Sequence, residues 1–200
     1  MPKISMTDFV DFVVKAGSPK MTKVRQVRDR GGYNPAHDFW RLFRNDIVEF
    51  HQNGFRDKKR FDRLLGKLTD HKKQKRYPEA IKGYKKFLGR KNIEWFTPPK
   101  ELWSHSGLDV RVNPELGLVI NGDRFIIKLY FKDEKLTKYK VPVIGALMIS
   151  ALASECDDSD KFAILDVSNS KLITFEDQVA DVMPLLAGEA YSFISIWDAL

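Results

Sequence analysis

Pro98 and Pro99 divide a 200-residue chain whose apolar residues keep helical spacing before them and strand alternation after them. The period of the apolar residues decides which face of an element is buried, so this change constrains the fold more than any single motif. Ahead of the prolines, Thr7 caps a helix with Phe9, Val10, Val13 and Val14 on one face, ended by Gly17. Ser18-Pro19 starts a second, with Met21, Val24 and Val27, stopping at Gly31-Gly32. Asn34-Pro35 starts a third, whose Phe39, Trp40, Phe43, Ile47 and Phe50 form a broad aromatic stripe closed by Gly54. Phe61, Leu64, Leu65 and Leu68 share a face of a fourth, over residues 57–68. Pro78 opens a fifth, with Ile81, Tyr84 and Phe87, ended by Gly89.

Beyond the prolines, residues 108–112 alternate as a strand. Residues 118–120 and 124–131 flank Asn121-Gly122, a pair suited to the positive φ angles of a type I′ hairpin turn. Pro142 opens a helix through about Ser154 that is apolar nearly all round and therefore belongs in a core. Strands follow at residues 162–167 and 172–175, then a helix over 176–186, weakened at its end by Pro184. The tail, residues 190–200, is apolar enough to dock but shows no period. The expected class is α+β: a helical N-terminal half, then a mixed, mostly antiparallel sheet with a buried helix, in the order β-β-β-α-β-β-α. The expected organisation is a basic all-helical region (1–91), a connector (92–107) and a sheet region (108–200), with one compact domain as the alternative.

Charge follows the same division. Residues 1–100 hold 25 Lys and Arg against 11 Asp and Glu, whereas residues 101–200 hold 9 against 16. The stretch from Arg56 to Lys91 has 15 basic and 4 acidic residues. Such a density attracts polyanions, which makes DNA or RNA the leading partner class. Candidate phosphate contacts are Arg56, Lys58, Lys59, Arg60, Arg63, Lys72, Lys73, Lys75, Arg76, Lys82, Lys85, Lys86, Arg90 and Lys91. Phe61, Tyr77, Tyr84 and Phe87 interleave with them, as base-stacking platforms or as core residues. An ordinary solvated face is the plain alternative. So is an acidic protein partner, because the two halves carry opposite net charge. The helix pair at residues 7–16 and 19–30, with Lys23, Arg25, Gln26, Arg28 and Arg30 on the second, also has the form of a helix-turn-helix.

Other chemistry is narrowed by absence of pattern. Cys156 is the single cysteine, so the sequence specifies no disulfide framework and a reduced, cytoplasmic setting is expected. Its acidic neighbours Glu155, Asp157 and Asp158 disfavour a thiolate. His37, His51, His71 and His105 lack metal-ligand spacing. Asp8 and Asp11 interrupt the first apolar run, which is no signal-peptide core, and the longest apolar stretch, Val141 to Ala153, is too short to span a bilayer. No membrane partner is expected.

One constellation suggests a reaction. Asn113-Pro114-Glu115-Leu116-Gly117 precedes Arg124-Phe125-Ile126-Ile127-Lys128. With the order helix (78–88), three strands, helix (142–154), strand, residues 78–175 resemble the core of the PD-(D/E)XK nuclease superfamily. That resemblance implies a Mg²⁺-dependent nuclease, with Glu115 as a metal-holding acid and Lys128 as the catalytic lysine. The family's second acid would fall at position 126, which is Ile126; Asp109 or Asp123 could serve only if the acid has migrated. An inactive, binding-only relative fits this departure equally well.

Overall fold

The computed structural model describes residues 1–31, 35, 38–132, 134, 136–175 and 181–200. In chain order the elements are β1 (Lys3–Ser5), α1 (Met6–Val13), α2 (Ser18–Asp29), α3 (Arg41–Gln52), α4 (Lys59–Leu65) and α5 (His71–Leu88). Then come β2 (Ile93–Phe96), β3 (Glu101–His105), β4 (Leu108–Val112), β5 (Leu116–Ile120) and β6 (Asp123–Tyr130). The chain ends with α6 (Lys140–Leu152), β7 (Lys161–Asp166), β8 (Lys171–Thr174) and α7 (Met183–Ala199). The fold is α+β, and from β4 onward the order is β-β-β-α-β-β-α, as the sequence pattern predicts.

Two sheets form. The larger runs β2-β5-β6-β7-β8, the smaller β1-β4-β3. Strands β2, β5 and β6 are an antiparallel meander, and β7 lies parallel to β6. A parallel partner needs a crossover, which α6 supplies. The β5–β6 turn is Asn121-Gly122, with φ of 53° and 99°. These are the positive angles a type I′ turn needs, and Ile120 pairs with Asp123 across it.

Side chains of the central strands divide between two cores. Ile126 and Tyr130 of β6 join a cluster built by α1, α2, β3, β4, α6 and α7. Phe125, Ile127 and Leu129 of the same strand join a second cluster under α3, α4 and α5. Both clusters therefore draw on both halves of the sequence.

Several elements differ from the sequence reading. The segment expected to be a connector, residues 92–107, carries β2 and β3. β2 is the first strand of the large sheet, and β4, expected in that meander, pairs instead with β1 and β3. Helix α5 starts at His71, not at Pro78, with the Asp70 side chain accepting from the Lys72 and Lys73 backbone N–H groups at 2.8 and 3.0 Å. An internal proline costs about 3 kcal/mol. Full burial of Tyr77, Ile81, Tyr84 and Phe87, at about 1.5–3 kcal/mol each, outweighs it. Pro184 sits in the first turn of α7, where its missing N–H is not needed, so the helix begins near where it was expected to end. Residues 176–180 of the expected helix lie outside the described residues, as do Asn34, proposed as a cap, and His37.

Helix α5 packs against the β7–β8 connection at Gly83. A Cβ there would lie 2.1 Å from the Val167 carbonyl oxygen and 2.5 Å from that of Ser168. Gly83→Ala should destabilise the protein by about 3 kcal/mol, because backbone rather than a flexible side chain must move. Urea titration should show a lower midpoint with an unchanged slope.

Candidate nucleic-acid interface

Helix α5 turns its aromatic and aliphatic side chains inward, with Tyr77, Ala80, Ile81, Tyr84 and Phe87 at most 2% exposed. At about 100° per residue, Lys72, Lys75, Lys82 and Lys86 fall on the opposite face, with Glu79 among them. The interleaved aromatics are thus core residues: Phe61, Tyr77, Tyr84 and Phe87 are all buried and none is open for stacking.

The fourteen candidate cations separate into two groups. Arg60 pairs with Asp46 and Glu49, Arg63 with Asp57, and Lys85 with Asp62, so these hold helices α3, α4 and α5 to one another and to their loops. Lys58 and Lys91 donate to the Gly89 and Phe87 carbonyl oxygens. Lys73 lies over the Phe39 ring, 5.9 Å from its centroid. Arg56, Lys59, Lys72, Lys75, Lys82, Lys86 and Arg90 make no ion pair or side-chain hydrogen bond among the described residues, and all are exposed. Arg76 is exposed as well.

Beside the start of α5 opens a cleft of about 1340 Å³ between α3 and the β1–β4 edge. Glu115 and Lys128 lie in its wall. The Glu115 backbone N–H donates to the Ile127 carbonyl oxygen at 3.1 Å, which fixes the residue beside β6. One carboxylate oxygen accepts from Lys128 Nζ at 2.5 Å and the other from the Leu129 backbone N–H at 2.8 Å. Both side chains are largely buried.

The donor set does not fit a divalent metal. Both Glu115 oxygens are engaged, and Ile126, at the second-acid position, is fully buried in the core. Asp109 accepts from Ser104 Oγ at 2.7 Å and Asp123 pairs with Lys161, so neither replaces the missing acid. Among the described residues no three His, Cys, Asp or Glu side chains group together. Mg²⁺ takes one or two carboxylates plus substrate phosphates in an octahedral shell, and one doubly occupied glutamate does not offer it.

Elsewhere in the cleft wall, Asp8 is 5% exposed and saturated with donors. It receives two bonds from Arg30 at 2.8 and 3.2 Å, one from Lys23 at 2.9 Å and one from Ser5 Oγ at 2.6 Å. Burial pushes its carboxyl up, but the Arg30 and Ser5 hydrogen bonds and the Lys23 charge outweigh burial and hold it far below the ordinary carboxylate value. Lys20 pairs with Glu189, and Arg28 donates to the Trp197 carbonyl oxygen at 3.2 Å. Lys20, Lys23 and Arg28 of α2 and its C-cap Arg30 thus bond to α1 and α7, while Arg25 and Gln26 stand exposed. His51 bonds Tyr84 Oη at 2.6 Å, and burial pushes it down to about 4. The Cys156 thiol is pushed up to about 11, first by burial and then by Asp160 and Glu155.

No described helix is long and apolar enough to cross a membrane. No protein-family profile matches the chain, and no curated protein matches it in sequence. The fold is similar to a crystal structure from Eubacterium rectale named "Putative exonuclease", with a TM-score of 0.51 over 98% of this chain and 81% of that one. Identity is 11%, so the likeness is one of fold.

The sequence pattern singled out Glu115, Lys128 and the α5 cations. It missed Trp40, Trp95, Arg111 and Lys132, which line the cleft from four separate segments. Glu115 and Lys128, singled out through the resemblance, lie near them.

Two outcomes follow from the wall. Because the folded Asp8 carboxyl titrates below its unfolded value, its stabilisation is complete above about pH 4 and fades as pH falls further. Asp8→Asn should therefore lower stability at neutral pH and flatten its decline toward about pH 2, as read by urea titration across pH. Glu115→Ala strands a largely buried Lys128 and a backbone N–H, and should cost about 3 kcal/mol. A thermal melt that matches wild type would contradict this.

Proposed function

We propose that the protein binds nucleic acid through its phosphate backbone, with residues 1–91 supplying the contact surface and the sheet region, 108–200, its scaffold. The observation that carries this reading is the face of α5, where Lys72, Lys75, Lys82 and Lys86 stand exposed without ion pairs among the described residues. Solvated faces carry mixed charge; here one acid, Glu79, stands among four lysines. Arg56, Lys59, Arg76 and Arg90 extend the basic surface, while Arg60, Arg63 and Lys85 contribute mainly to the internal ion pairs. Backbone recognition of this kind is electrostatic and indifferent to sequence.

A nuclease is the second reading. The name of the E. rectale structure favours it, as does the seating of Glu115 and Lys128 in a cleft beside the basic face. The donor set does not fit Mg²⁺, so the binding-only form is the one put forward, and no hydrolytic step is derived.

Gel shifts with DNA and RNA test the proposal. If six or more phosphates are contacted, affinity should fall at least ~10³-fold between about 50 and 200 mM salt. Changing Lys72, Lys75, Lys82 and Lys86 together to Glu should abolish the shift while leaving the melting temperature nearly unchanged. Binding that ignores salt, or no shift at low salt, would refute it. Cleavage of the bound polymer with added Mg²⁺ would instead establish the nuclease reading.

A further inference from the structure

The basic face of α5 does not end at the helix. A smaller cavity of about 510 Å³ lies at its start, lined by Lys72, Lys75 and Arg76 together with Phe39, Trp40, Phe131 and Lys132. The last four also line the larger cleft, so the two spaces are continuous. The exposed lysines thus lead into a concave channel rather than across an open surface.

The channel has spare positive charge. Among the described residues, nine cations and five carboxylates line the larger cleft. Arg28, Arg30, Arg44, Lys128, Lys132 and Lys140 each pair with a carboxylate. Lys3, Lys100 and Arg111 make no ion pair or side-chain hydrogen bond among the described residues. Arg111 is the informative one, because it is only partly exposed. It lines the cleft without an ion pair among the described residues, and its guanidinium fork matches two phosphate oxygens.

The aromatic lining is equally selective. Trp40 is sandwiched between Tyr77 and Phe131, with centroids 5.0 and 5.1 Å away and planes within 12° and 17°, so both its faces are used and it forms wall. Trp95 lines the same cleft, is half-buried, and has no ring partner among the described residues. Trp95 also packs against the core under α3–α5, and the part of its indole that lines the cleft is left for a base to stack on. In a duplex the bases stack on one another and only the outer phosphates are presented, so a duplex reaches the α5 lysines but neither Trp95 nor Arg111 inside the cleft. Only a strand with unstacked bases satisfies both.

We propose that this cleft takes a single strand of nucleic acid, with Arg111, Lys3 and Lys100 on its phosphates and Trp95 under a base. The proposal rests on the backbone-binding reading above and names its substrate. Fluorescence anisotropy with a labelled single strand and the matching duplex tests it, on wild type, Trp95→Ala, Arg111→Gln and the surface variant Lys100→Gln. The single strand should bind at least tenfold more tightly than the duplex. Trp95→Ala should weaken the single strand about fivefold or more, the range expected for loss of one stacked base. Arg111→Gln and Lys100→Gln should weaken it too, and all three should leave duplex affinity unchanged. Lys100→Gln keeps the test decisive if the two buried-site variants fold poorly. Equal binding of strand and duplex, or single-strand binding indifferent to these changes, would overturn the cleft as the site while leaving backbone binding intact. Failure of either polymer to bind would overturn the backbone reading itself.

Discussion

The alternation of β6 is the constraint on which the rest of the architecture depends. Its odd positions, Phe125, Ile127 and Leu129, enter the core under α3–α5, and Ile126 and Tyr130 enter the core beneath α6 and α1. A strand buried on both faces needs cover on both, and α6 gives it on one face while carrying the chain to the parallel strand β7. That two-sided burial also limits the chemistry. Lys128 shares its face with Ile126, but it emerges beside Glu115 at the cleft while Ile126 stays sealed. An acid at position 126 would be an unpaired charge in an apolar core, a cost of several kcal/mol that a metal would have to offset.

The opposed charges of the two halves have an internal use as well as an external one. Lys20 on α2, in the basic half, pairs with Glu189 on α7, in the acidic half. Within the basic half, Arg60 and Lys85 tie α4 to α3 and α5. Net charge alone therefore overstates the surface available to a polyanion. What remains after these pairs is a narrower set of cations on one helix face and at one cleft, and this narrowing gives the binding hypothesis a location.

The elements legible in the sequence were those with a strong local period or local turn chemistry. Asn121-Gly122 fixed its hairpin, and the apolar run of α6 was read as buried because no polar face was present. β2 and β3 were missed because residues 93–105 lack alternation: Glu94 is exposed beside two half-buried aromatics, and in β3 only Trp103 is buried. α7 was not typed because apolar residues surround it, so no face stands out. At the candidate site, Glu115 and Lys128 were found through family resemblance, whereas Trp95 and Arg111 carry no local signal at all.

The sequence by itself determined the α+β class, the position of most helices, the central hairpin and the concentration of positive charge in the first half. These follow from periodicity, capping and composition, which act over a few residues. Only the tertiary structure decided that β4 leaves the meander to join β1 and β3, that the aromatics beside the lysines are core, and which lysines have no ion pair among the described residues. Those outcomes depend on contacts between residues far apart in the chain, such as Lys3 opposite Asp109 and Trp40 stacked on Phe131. Local sequence carries no record of such partners, because their pairing is fixed by how the two cores close around β6.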